Sequence, residues 1–197
     1  MIKKCFRVTK YNPKNRNEYW HYLINEWTSI SDIWSTLTKQ EYYRIENNYS
    51  NFIINLLGKF DYNFFYVLWI EKHFFWKELN KTKKKFIWKE SKVLFKKLKK
   101  GWKYKINLKE IEKLIKMFLR EIIWWILIWK QIEIKIWYDY YMYILTTDEK
   151  ISKYLENIKD DVLFIEKINC DVFEIDKEIK REIWYNEDHL TNALNGN

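Results

Sequence analysis

An α+β domain is the fold class this sequence predicts, with an antiparallel or mixed sheet and helices packed on one face. Three observations predict it. Residues 39–57 and 107–122 carry apolar side chains at helical spacing behind capping pairs. Residues 131–145 alternate at strand spacing. The chain has 197 residues, 48% hydrophobic and 32% charged, which suits one domain without a linker.

In chain order, Lys3–Tyr11 reads as a strand with Cys5, Arg7 and Thr9 on one face and Phe6 and Val8 on the other. Asn12–Asn15 reads as a turn around Pro13. Residues 17–35 lack periodicity and predict a long ordered loop, with Ser31 or Asp32 as N-cap of a helix starting near Ile33. Thr38 and Glu41 form a capping pair for a helix over 39–57, with Gly58 as its C-terminal stop. Phe64–Glu71, aromatic and β-branched, predicts a buried strand. The region 74–105 is ambiguous: a strand near 86–88 and a helical turn near 90–98 both fit, and Gly101-Trp102 reads as a turn.

Asn107 and Glu110 cap the clearest amphipathic helix, whose inner face is Leu108, Ile111, Leu114, Ile115, Phe118, Leu119 and Ile122. Residues 124–128 and 132–144 are expected to form the central hairpin, with the even-numbered residues of the second strand, from Ile132 through Tyr140 to Ile144, facing the core. Thr146 and Glu149 cap a helix over 148–158, Val162–Ile168 is a strand, and a weak helix is read near 176–184.

The charge of +9 is unevenly placed. Lys81 to Lys105 holds twelve Lys and one acid, Glu90, so the rest of the chain is slightly acidic. This reads as an insertion-like basic segment within a single domain. The N-terminus has no apolar core of a signal peptide, and the longest apolar run, Ile122–Trp129, is far below the ~20 residues of a spanning helix. A cytoplasmic protein without membrane association is expected. Cys5 and Cys170 show no metal or redox spacing and are read as two reduced, half-buried thiols.

Glycine occurs 3 times and tryptophan 12 times, where ordinary usage gives roughly 14 glycines in such a chain. Two stretches carry a resemblance. Arg7–Pro13 followed by Glu26-Trp27-Thr28-Ser29-Ile30-Ser31-Asp32-Ile33, and Leu119–Trp124 followed by Ile136–Ile144, resemble a small, poorly characterised bacterial protein family with the patterns "EWTSISDIG" and "FGYDYYMYIG". The family is associated with toxin–immunity neighbourhoods, which implies a non-enzymatic, immunity-type inhibitor that occludes a toxin. The chain departs from the pattern at Trp34 and Trp137, where the family has glycine, and Trp20 falls on a third such position. Trp129 stands in a tight turn where a positive φ is usual. Trp20, Trp34, Trp129 and Trp137 therefore have two readings, as glycine codons (UGA) translated as tryptophan or as genuine tryptophans whose rings form a ligand platform; a UGG codon at 34 and 137 would exclude the first.

Catalytic patterns are lacking. His21, His73 and His189 share no ligand spacing, and no phosphate loop or nucleophile elbow occurs. No cofactor, metal or catalytic residue is expected, and the partner is expected to be another protein. Candidate contacts are Glu26, Trp27, Thr28, Ser29 and Asp32 in the first loop, and Asp139, Tyr141 and Tyr143, because tyrosine offers rigid contact area with a polar tip. Tyr141 and Tyr143 have a second reading, as side chains covered by a helix. The alternative function is nucleic-acid binding through Lys83, Lys84, Lys85, Trp88, Lys96, Lys97, Lys99, Lys100 and Lys103, where lysines neutralise phosphates and interleaved rings stack on bases. The same lysines also read as a solvated surface.

Overall fold

A computed structural model describes residues 3–18, 29–33, 37–72, 84–85, 92–98, 103–136, 140–160 and 162–170. The elements run β1 (Lys4–Thr9), α1 (Lys39–Lys59), β2 (Phe64–Lys72), α2 (Lys92–Lys97), β3 (Tyr104–Asn107) and α3 (Leu108–Leu119). They continue with β4 (Ile123–Trp129), β5 (Ile132–Ile136), β6 (Met142–Thr146), α4 (Glu149–Asn157) and β7 (Phe164–Ile168), and short 3₁₀ turns occupy Pro13–Asn15 and Ile30–Asp32. The fold is α+β. Among the described residues seven strands form one sheet in the order β3-β2-β4-β5-β6-β1-β7, and every neighbouring pair is antiparallel.

Strand alternation divides the sheet into two faces. Phe6 and Val8, Phe65 and Val67, Trp125 and Leu127, Ile132, Ile134 and Ile136, and Met142 and Ile144 form the inner face. They share one core with Ile53, Leu56 and Leu57 of α1, Leu94 of α2, Ile111, Leu114 and Ile115 of α3, and Ile151 and Leu155 of α4. Burying each such aliphatic side chain stabilises the fold by about 1.5–3 kcal/mol. The basic segment therefore supplies a helix to the core and, through β3, an edge strand to the sheet.

Several expectations are corrected. Gly58 is not the stop of α1. The helix runs through it to Lys59, and the left-handed residue is Asp61, φ 56°. The Asp61 amide donates to the Gly58 carbonyl and the Tyr62 amide to Leu57, a Schellman closure that ends the helix two residues later than expected. Among the described residues no α-helix starts near Ile33: residues 30–32 make one 3₁₀ turn, and α1 begins behind Thr38. Thr146 is not the N-cap of α4; Asp148 is, and Thr146 Oγ1 accepts from the Asp148 amide instead.

The single strand expected over 132–144 is two strands, β5 and β6, paired through Ile136 and Met142. The even-numbered face survives this break because an even residue faces an even one across the hairpin. Ile134 and Tyr140 are both buried, at 0% and 5% exposed. Trp129 is not in the turn. It pairs with Ile132 as the last residue of β4, and the positive φ, 35°, belongs to Lys130. The geometric reason for a glycine at 129 therefore disappears. Trp20, Trp34 and Trp137 lie outside the described residues, as do the strand near 86–88, the turn at 101–102 and the helix near 176–184. The cysteines are not separate thiols: Cys5 and Cys170 form a disulfide, Cα atoms 5.3 Å apart. Sequence spacing missed this because β7 lies beside β1, bringing the two together from 165 residues apart.

Candidate binding surfaces

The face of the sheet turned away from the helices carries two clusters, one near each edge. The first lies on β6, β1 and β7. Alternation sends Cys5, Arg7 and Thr9 of β1 to this face, and the register sets Tyr143, Arg7 and Glu166 in one cross-strand row. The neighbouring row is Leu145, Cys5 and Ile168. Arg7 donates from Nε and Nη2 to Glu166 Oε2, at 3.1 and 2.9 Å. Arg16, just after the first 3₁₀ turn, reaches the same carboxylate with both Nη atoms, at 2.8 and 2.6 Å. Burial acts to raise the Glu166 pKa, but the hydrogen bonds and charge of Arg16 and Arg7 outweigh it and hold the carboxyl below its usual value. Tyr141 is half-buried, its ring centroid 5.4 Å from the Arg7 guanidinium and 5.9 Å from the Tyr11 ring.

Two of the tyrosine candidates thus differ in kind. Tyr143 is 7% exposed and packs with Cys5 and Leu145, so it belongs to the interior of this face. Tyr141 keeps part of its ring at the surface. Ser29 and Asp32 are internal braces: Ser29 Oγ donates to Glu121 Oε1 at 2.6 Å, and Asp32 Oδ2 accepts from the Ser29 amide at 3.2 Å. Glu26, Trp27, Thr28 and Asp139 lie outside the described residues.

The second cluster lies on β3, β2 and β4. Tyr66 stands between Lys105 and Ile128 across the strands. Phe64 and Tyr66 gather with Trp129, the Phe64 and Trp129 centroids 4.1 Å apart. Three ammonium groups lie over these rings: Lys105 Nζ 3.7 Å from the Phe64 centroid, Lys103 4.0 Å from Tyr66, and Lys130 5.2 Å from Trp129. Partial burial lowers the Lys103 pKa. Lys103, Lys105 and Lys130 are exposed, Phe64 and Trp129 half-buried, and Tyr66 buried.

Of the other lysine candidates, Lys84 is half-buried, and Lys85, Lys96 and Lys97 are exposed, with Lys97 paired to Glu110 at 2.6 Å. Lys83, Trp88, Lys99 and Lys100 lie outside the described residues. Sequence reading missed Phe64, Tyr66, Lys105 and Lys130 as members of this cluster. Phe64–Lys72 is apolar on both faces, which hides its outer one, and the four-residue strand β3 carries no periodic signal long enough to register.

Among the described residues no group of three His, Cys, Asp or Glu side chains could hold a metal ion, and no helix is long and apolar enough to cross a membrane. No protein-family model, curated protein or solved structure matches the chain.

Proposed function

We propose that this protein is a non-enzymatic, immunity-type inhibitor that occludes a partner toxin by direct protein–protein contact, and that the contact centres on Tyr141 and Arg7. The observation that carries the reading is a half-buried tyrosine whose ring is fixed before any partner arrives. Tyr11 packs against Tyr141, and so does Arg7, itself tied to Glu166 beside Arg16. Tyrosine and arginine dominate binding hot spots, and side chains already held in place lose little rotamer freedom on association. The sequence resemblance to proteins of toxin–immunity neighbourhoods points the same way.

The test is first whether a toxin gene lies beside this one, since isolation from any toxin gene overturns the reading, and then co-expression of the two. Wild-type protein is expected to restore growth. Tyr141→Ala and Arg7→Ala are expected to lose protection, with a fall in toxin affinity of tenfold or more, about 1.4 kcal/mol, typical of a hot-spot residue. Full protection by a folded Tyr141→Ala variant overturns this placement of the interface.

A further inference from the structure

We propose that the β3-β2-β4 corner binds single-stranded nucleic acid, with Lys105, Lys130 and Lys103 taking backbone phosphates and Phe64 taking a base. The cluster joins cations to rings. Exposed Lys105 lies 3.7 Å over half-buried Phe64, and exposed Lys130 lies 5.2 Å over half-buried Trp129. Among the described residues neither Lys105 nor Lys130 has a carboxylate partner, whereas the nearby Glu110 is engaged by Lys97. A phosphate drawn to Lys105 lifts its ammonium from the ring and opens the Phe64 face to a base. Buried Tyr66 is the floor of this site, packed edge-on to Phe64 at 6.2 Å.

Charge complementarity sets an anionic occupant, and the rings set its form. Bases of a duplex are stacked on one another, while those of a single strand can lie on an aromatic face. The backbone of a single strand also bends to follow lysines set on β3 and on the β4–β5 turn. This surface sits near the opposite edge of the sheet from Tyr141, so the two sites are tested separately.

The experiment is fluorescence anisotropy of a labelled 20-nucleotide oligo-dT, with a duplex of equal length and heparin as comparisons. The single strand is expected to bind about tenfold more tightly than the duplex, the scale of one stacked base. Phe64→Leu should remove that advantage and leave the duplex unaffected. Each of Lys105→Gln and Lys130→Gln should flatten the slope of log affinity against log salt by about 0.7, the single-strand value per phosphate. Tyr141→Ala should change nothing.

Equal affinity for single strand, duplex and heparin overturns the proposal, because it shows only attraction between opposite charges. No binding at low salt overturns it too. Should Phe64→Leu disturb the packing with Trp129, Lys105→Gln decides alone: it replaces an exposed side chain, and an unchanged salt slope removes the phosphate contact.

Discussion

Arg120 leaves the end of α3 and donates to Glu46 of α1 through two bonds, Nε to Oε1 at 2.6 Å and Nη2 to Oε2 at 2.7 Å. Their side chains are 3% and 1% exposed. Removing one partner leaves a charge stranded in the core, so Glu46→Gln or Arg120→Met is expected to lower stability by about 3–5 kcal/mol in urea unfolding. Replacing both by methionine should recover much of that loss; a double variant as unstable as the singles would show that the pair itself is required. Beside this pair, the Tyr42 and Tyr140 hydroxyls both donate to the Leu119 carbonyl, at 3.0 and 2.8 Å. Burial, with neighbouring groups, raises both phenol pKa values well above the usual 10. The folded state therefore keeps protons that the unfolded chain gives up. The tyrosines' stabilisation is complete below about pH 10 and falls as pH rises through the unfolded value towards the folded ones. Alkaline melts should show it, and Tyr42→Phe should reduce the pH dependence above 10.

The helix ends show where sequence signals mislead. Gly58 lies inside α1, and a Cβ there meets nothing within 4 Å. Gly58→Ala is expected to stabilise the protein by about 0.5–1 kcal/mol, because glycine there only adds chain entropy to the unfolded state. Asp61, φ 56°, occupies the left-handed position that glycine normally fills, so Asp61→Gly should also stabilise, by about 1 kcal/mol. Glu121 ends α3 in the same conformation, φ 56°, yet Glu121→Gly should not stabilise. Its Oε1 accepts from Ser29 Oγ and from the Ile30 amide, which fastens the 29–33 turn to the helix end. Thermal melts of the three variants test the contrast, and a gain at Glu121→Gly equal to that at Asp61→Gly would refute the brace. Capping pairs and periodicity were legible because both are local: Asn107 and Glu110 form the full reciprocal box at α3. The break between Ile136 and Met142 was hidden because two even-numbered residues face each other across it, so the alternation reads through as though the strand continued. The binding clusters were hidden for a different reason. Lys105 meets Tyr66, and Arg7 meets Glu166, only through sheet register, which no local pattern encodes.

At the scale of the molecule, the two ends of the described chain meet at one edge of the sheet. β1 pairs on one side with β6 and on the other with β7, and the contact is held by Glu166 between Arg7 and Arg16 as well as by the disulfide. Glu166 and Glu110 both have pKa values held below the ordinary carboxylate value, each against the opposing effect of burial, by hydrogen bonds and charge from their basic partners. Their contribution is complete above the unfolded carboxyl pKa of about 4.3 and is lost as pH falls through the lower folded values. Acid melts of Glu166→Gln should therefore show a shallower decline below pH 4.3 than wild type. The covalent tie acts through the unfolded state. Joining residues 165 apart in sequence restricts nearly the whole unfolded chain, and such links contribute about 2–4 kcal/mol. Reduction with dithiothreitol, or Cys170→Ser, is expected to lower the unfolding free energy from denaturant titration by that amount and to speed amide exchange in β7, which pairs with β1 alone among the described strands. The bond also bears on compartment. A reducing cytosol opposes disulfides, so the bond counts against the cytoplasmic location expected from the N-terminus. Native protein prepared without reductant and treated with iodoacetamide should gain no alkyl mass at either cysteine until dithiothreitol is added. Alkylation of both before reduction would show that the two thiols are neighbours without being bonded.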